Sequence, residues 1–249
     1  MTSSVFGKES LVSHFEALRK TLLKCIVATA LCYPVGYWIT PDVINQLIQW
    51  SFPENIGKLH YFSPLEAFWV KLRLGFILAM IFAYPYNIFQ FWKFLLPALY
   101  DNERKSLGKW ITLSSILFFS GIAFCTVCVL PLLMDFAGSF SSPELQAMFG
   151  LENFLSLAGM MMLAFGIMFQ TPILVFIAIR FDFVSRETLS RKRPYIMTGI
   201  LIIAALLTPP DVISQILMAI PTWLLFELGL ILSGNIDVKT GGRIPETDR

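Results

Sequence analysis

The sequence predicts an all-α polytopic membrane protein with six transmembrane helices. Three observations carry that expectation. Of 249 residues, 56% are hydrophobic and only 14% are charged, where a soluble domain carries about 25%. The apolar residues gather into runs near the length that crosses a bilayer, roughly 20 residues. Lys and Arg collect in alternate connections between those runs. At 23 Phe against 7 Tyr and 6 Trp, most aromatic surface lacks a polar handle and suits lipid or a packed bundle.

The first 20 residues are polar, with Lys8, Glu9, His14, Glu16, Arg19 and Lys20. No short apolar core with a small-residue cleavage site precedes them, so no cleavable signal peptide is expected. Spans are expected at about 22–39, 70–92, 109–131, 154–179, 194–208 and 212–232. Pro194 opens the fifth and Pro209-Pro210 closes it, so it is short, and it forms a tight hairpin with a short sixth. Such segments thin the bilayer or sit recessed in the bundle. Pro34, Pro85, Pro172 and Pro221 fall inside spans, where each removes a backbone hydrogen bond and kinks the helix. Four kinks favour a concave bundle over a straight one. No linker or repeat divides the chain. It reads as one membrane domain, 1–249, with a polar tail over 233–249.

Orientation follows from the cations. The amino-terminal segment, the second and fourth connections and the tail together hold 16 Lys and Arg. The opposite side holds one, Lys58, apart from Lys71 and Arg73 at the start of the second span. The positive-inside rule then places both termini in the cytoplasm. Lys71 and Arg73 either snorkel toward the outer interface or pair with Glu66 or Asp211.

No H-E-x-x-H, G-x-S-x-G or P-loop occurs. His14 and His60 fall on opposite sides of the membrane. Cys125-x-x-Cys128 has redox or metal spacing, but it lies in an apolar run and reads as helix packing. The expectation is no enzyme, no metal, no cofactor and no nucleic-acid partner. The polar residues within spans then draw attention, because burying them is costly. Gln170 either bonds the carbonyl that Pro172 frees or bonds another membrane subunit. Glu227 either reaches the interface or pairs with a cation such as Arg193. Glu103 and Glu16 sit among Lys and Arg at helix ends. Each forms a local ion pair, with Arg104 or Lys20, or offers its carboxylate to a visiting guanidinium, gripped by two parallel hydrogen bonds.

An ordered set of motifs over residues 13–232 resembles the TatC family, the polytopic receptor subunit of the twin-arginine protein translocase. The set runs from Ser63-Pro64-x-Glu66 through Pro85, Gln90-Phe91-Trp92-x-Phe94 and Pro97-Ala98-Leu99-Tyr100-x-x-Glu103. It continues with Ala164-Phe165-Gly166-x-x-Phe169-x-x-Pro172, Arg191-Lys192-Arg193-Pro194-Tyr195 and Thr208-Pro209-Pro210-Asp211. It closes on Ala219-Ile220-Pro221 and Phe226-Glu227. Two departures stand out. The amino-terminal pattern has Ala17 where the family has an acid, with Glu16 one residue early, a turn of about 100° on a helix. The fourth span has Gln170 where the family often has Glu.

The resemblance implies that signal peptides with consecutive arginines bind at the cytoplasmic face through Glu103, Phe94, Glu16 and Arg19. It implies that Gln170 and Phe169 contact partner subunits, and that Pro85, Pro97, Asp211 and Glu227 are structural or interfacial. The implied partners are the single-span TatA and TatB subunits in an oligomeric complex. The implied setting is the cytoplasmic (inner) membrane of a bacterium, with folded proteins moved by the proton-motive force. The alternative function is a small secondary transporter with a midplane substrate site near Gln170.

Overall fold

The computed structural model describes residues 3–52, 59–60, 62–95, 107–140, 148–180, 183–207 and 212–234. Its first helix, α1, runs Ser3–Ser51, far beyond the expected 22–39. Pro34 and Pro41 lie inside it without ending it. Two features explain the extra length. Before residue 22, the run Glu16-Ala17-Leu18-Arg19-Lys20 consists of good helix formers. Beyond Pro41, Leu47 is buried while Val43, Ile44 and Ile48 pack beside it, at the 3–4 spacing of one helix face.

The second span is α2, Glu66–Leu95, with Pro85 inside. The third is α3, Leu107–Phe124, then a π-helical turn, Cys125–Val129, then α4, Leu130–Gly138. The wider turn sits directly before Pro131, whose missing N–H already breaks the ladder. Cys125 is buried in this turn and Cys128 is exposed. The fourth span is α5, Leu151–Met168, and α6, Thr171–Arg180, broken just before Pro172. Pro172 cannot bond the carbonyl of Met168, and the Thr171 hydroxyl donates to that carbonyl instead. In lipid a freed carbonyl must find such a partner. A short surface helix, α7, covers Arg186–Arg191.

The fifth span, α8, is Arg193–Leu207, 15 residues. At 1.5 Å per residue it covers roughly 22 Å of a hydrocarbon core of about 30 Å. The sixth, α9, runs Val212–Gly234, 23 residues. It is therefore full length and not short. Val212, Ile216, Ile220, Leu224 and Leu228 form an exposed apolar stripe on α9 at intervals of four. Met218, Thr222, Phe226 and Leu230 face inward. Five helical segments are long and apolar enough to span, with α8 as the shorter sixth.

The spans alternate in direction, so the N-terminus of α1, the C-terminus of α2 and the start of α3 share one end with α7. We call it the basic end. At the opposite end two connections meet. There β1, Leu59–His60, pairs in parallel with β2, Phe149–Gly150.

Helices approach closely at glycines. A Cβ on Gly36 of α1 would lie 2.5 Å from the carbonyl oxygen of Gly75 in α2 and 2.9 Å from the Ala79 nitrogen. A Cβ on Gly121 of α3 would lie 2.6 Å from the carbonyl oxygen of Phe165 in α5. Only 6% of the apolar window in α1 is buried, against 44% in α2. The seam at Gly36 and Gly75 holds the middle of α1 against α2, and Leu47 packs its later part into the core. Gly36→Ala should destabilise the protein by about 1–3 kcal/mol, because backbone must move. Gly199→Ala, with open space around it, should be neutral or stabilise by up to about 1 kcal/mol. Denaturation in mixed micelles measures both, and equal effects would contradict the seam.

Candidate functional site

At the opposite end, Glu66 opens α2 with its carboxylate buried. One oxygen, Oε2, accepts the N–H groups of Phe62 at 2.7 Å and Ser63 at 3.3 Å. The other, Oε1, accepts the N–H of Glu152 at 2.8 Å, in the first turn of α5. One side chain thus joins the N-termini of two helices, where backbone donors lack helical partners and a negative charge is favoured. The Ser-Pro-x-Glu spacing builds this clamp locally. Arg73 does not pair with Glu66. Its Nη1 donates to Ser156 Oγ at 2.7 Å and lies 3.4 Å from Glu152 Oε1. The Lys71 ammonium lies 4.4 Å above the Tyr37 ring, a cation–π contact.

Within the bundle, Gln170 sits at the break between α5 and α6. Its Oε1 accepts from Ser114 Oγ at 2.6 Å, and its Nε2 donates to the Ser114 carbonyl at 3.0 Å. Ser114 also shares a 3.0 Å hydrogen bond with Tyr84 Oη, and the Tyr84 ring stacks on Phe118 at 3.6 Å. The carbonyl freed by Pro172 is served by Thr171, so Gln170 does not have that local role. It ties the fourth span to the third within this chain. Beside it, Phe169 is half-buried and packs on Phe124, ring centroids 5.7 Å apart.

At the basic end, Glu16 and Arg19 are exposed on α1 and Phe94 is half-buried in the last turn of α2. Lys20, Lys24, Lys93, Lys109, Arg186, Arg191 and Lys192 are exposed at the same end. Arg193 Nη2 donates to Glu227 Oε2 at 2.9 Å, which resolves the two readings of Glu227 in favour of the ion pair. Both partners are partly exposed, so the pair is worth at most about 1 kcal/mol. It does show that a guanidinium and a carboxylate meet at this end. Pro85 lies half-buried inside α2. Glu103, Pro97 and Asp211 lie outside the described residues.

A family model described as Sec-independent protein translocase protein (TatC) matches residues 13–221. The chain belongs to the TatC family. The TatC of Escherichia coli (strain K12) is 33% identical over 238 residues, covering 92% of this chain and 90% of that protein. TatCy of Bacillus subtilis (strain 168) is 27% identical, with 94% and 92% covered. A crystal structure described as the twin arginine translocase receptor TatC superposes with a TM-score of 0.80 at 29% identity. It covers 90% of this chain and 99% of that one. The chain is thus a multi-pass membrane subunit of the Sec-independent translocase, a transport component that works with other Tat subunits and is not an enzyme. TatC membership decides against the small secondary transporter.

Sequence reasoning missed the Ser114 partner of Gln170, the Glu66 clamp onto α5 and the Arg73–Glu152 contact. It also missed Gln215, whose Nε2 donates to the Leu201 carbonyl at 3.1 Å and closes the α8–α9 hairpin. The Thr171-Pro172 dipeptide was a usable signal, since a hydroxyl beside a proline can serve the carbonyl it frees.

The Gln170–Ser114 contact has an energetic signature. A double-mutant cycle with Gln170→Leu and Ser114→Ala should give a coupling of about 0.6–1.7 kcal/mol in favour of the native pair. Gln170→Glu should keep the bond from Ser114 Oγ and lose the one to the carbonyl, at a smaller cost than Leu. Strictly additive single effects would show that the two side chains do not interact.

Proposed function

We propose that this TatC-family chain is the receptor subunit that binds twin-arginine signal peptides at its basic end. The single observation that carries this is its likeness, over 90% of its length, to the structure described as the twin arginine translocase receptor. Glu103 pairs with an arriving guanidinium, and Glu16 assists from α1. Arg19 sets the local field, and Phe94 packs on the apolar part of the peptide. The surrounding Lys and Arg repel loosely held cations and leave an advantage to a ligand that makes close bidentate contacts.

The cation split supports the accompanying topology. The basic end, with both termini, faces the cytoplasm of a bacterial cell, and the chain works as one domain in the inner membrane. TatA and TatB complete an oligomeric complex driven by the proton-motive force. Their helices meet the fourth span near Phe169 and Gln170, whose second amide hydrogen is a donor for a polar group on a partner helix. Pro85, Pro97, Asp211 and Glu227 shape the helices and their ends.

A partly shielded Arg–carboxylate contact contributes roughly 1.5–3 kcal/mol, about a tenfold to 150-fold change in affinity. Crosslinking of a twin-arginine precursor to Glu103→Gln should therefore fall to about a tenth of wild type or less at matched protein levels. Glu103→Lys should be worse, and Glu16→Ala milder. Equal crosslinking of wild type and Glu103→Gln would remove Glu103 from the recognition site.

A further inference from the structure

The short helix α7 lies across the basic end with no buried residue. Between it and the start of α8 is a recess of about 510 Å³. Lys192 and the hydroxyls of Ser185 and Thr188 line one part of it, and Phe183, Leu189 and Tyr195 line the other. The two hydroxyls lie 2.8 Å apart, and that bond needs only one of their two hydrogens. Ser185 Oγ also accepts the Thr188 N–H at 3.2 Å, so the pair is fixed in place. On the other side of α7, Arg186, Arg191 and Glu187 border a second recess. Arg193 is committed to Glu227. Among the described residues, the lining of the two recesses holds Arg186, Arg191 and Lys192 against one acid, Glu187.

The apolar wall does not end at the recess. Tyr195 is 77% exposed, and Ile202, Ile203 and Leu206, on the same side of α8 at about 100° per residue, are exposed further along it. A ligand that used the whole feature would carry a negative head and a long apolar body. The short α8 also brings the recess toward the depth at which headgroups meet acyl chains. We propose that the recess between α7 and α8 binds an anionic glycerophospholipid. Its phosphate lies at Lys192 and the Ser185–Thr188 hydroxyls, Arg191 is nearby, and an acyl chain lies along α8. The inference stands on charge complementarity and on the exposed apolar residues of α8, and is independent of where signal peptides bind.

Each basic residue beside an anionic membrane surface changes the affinity by about fivefold. Native mass spectrometry of the full chain, titrated in detergent with phosphatidylglycerol or phosphatidylcholine, reads the preference directly. Wild type should retain phosphatidylglycerol more tightly than phosphatidylcholine. Lys192→Gln should reduce that preference about fivefold, and Lys192→Arg should restore it. Lys109→Gln, at the same end but outside the recess, should leave it unchanged. Glycerophosphate, which has the head without the chains, should bind far more weakly than the lipid. The proposal is overturned by equal retention of the two lipids, by an unchanged preference in Lys192→Gln, or by an equal loss in Lys109→Gln. Glycerophosphate binding as tightly as the lipid would reassign the recess to a free phosphate.

Discussion

Lipid withholds the hydrophobic drive that pulls helices together in water, so this bundle depends on close backbone approach at glycines. Gly36 and Gly75 let α1 lie against α2, and Gly121 lets α3 lie against α5. Gly229 does the same for α9 at Pro172, where an added Cβ would come within 3.0 Å of the proline Cα. The large side chains then fill what the glycines leave. A Cβ on Gly166 would meet the Phe118 ring at 2.6 Å, and Phe118, Phe165 and Phe226 are among the most buried side chains. Dispersion between such close surfaces is individually small and collectively large.

Polar bonds add direction to that packing. Glu66 anchors the opposite end by joining the first turns of α2 and α5. Gln170 and Ser114 fix the first half of the third span against the fourth. Each satisfies groups that lipid could not. At the basic end Lys20, Lys24, Lys93, Lys109, Arg186, Arg191 and Lys192 are exposed instead, and Arg193 pairs with Glu227. A scaffold tied at one end and again within the bundle can present charged side chains at the other. That arrangement suits a receptor whose ligand arrives from the aqueous side.

Much of the fold was legible from apolar runs. The expected spans at 70–92, 109–131 and 154–179 fall within α2, α3–α4 and α5–α6, because run length and prolines report on the segment that contains them. The expected first span, 22–39, is shorter than α1, because an apolar run reports the segment suited to lipid while the helix itself runs from Ser3 through Pro34 and Pro41 to Ser51. What periodicity cannot report is a partner far along the chain. Ser114 lies 56 residues from Gln170, and Glu152 lies 86 from Glu66. Arg193 and Glu227 were easier, since charges at the same membrane depth have few other choices. Glu103 and Asp211 draw notice from their charge and from the motifs around them, whereas Phe94 takes its proposed role from the motif alone.

The central claim is that a carboxylate at the basic end reads arginine by geometry as well as charge. Lysine carries the same charge as a point donor and cannot form the paired bonds of a guanidinium. The most direct test is the affinity of the membrane-embedded chain for a signal peptide with two arginines and for the same peptide with two lysines. The account predicts at least about tenfold tighter binding of the arginine peptide, with the difference largely lost in Glu103→Gln. Equal affinity for the two peptides in the wild-type chain would contradict it.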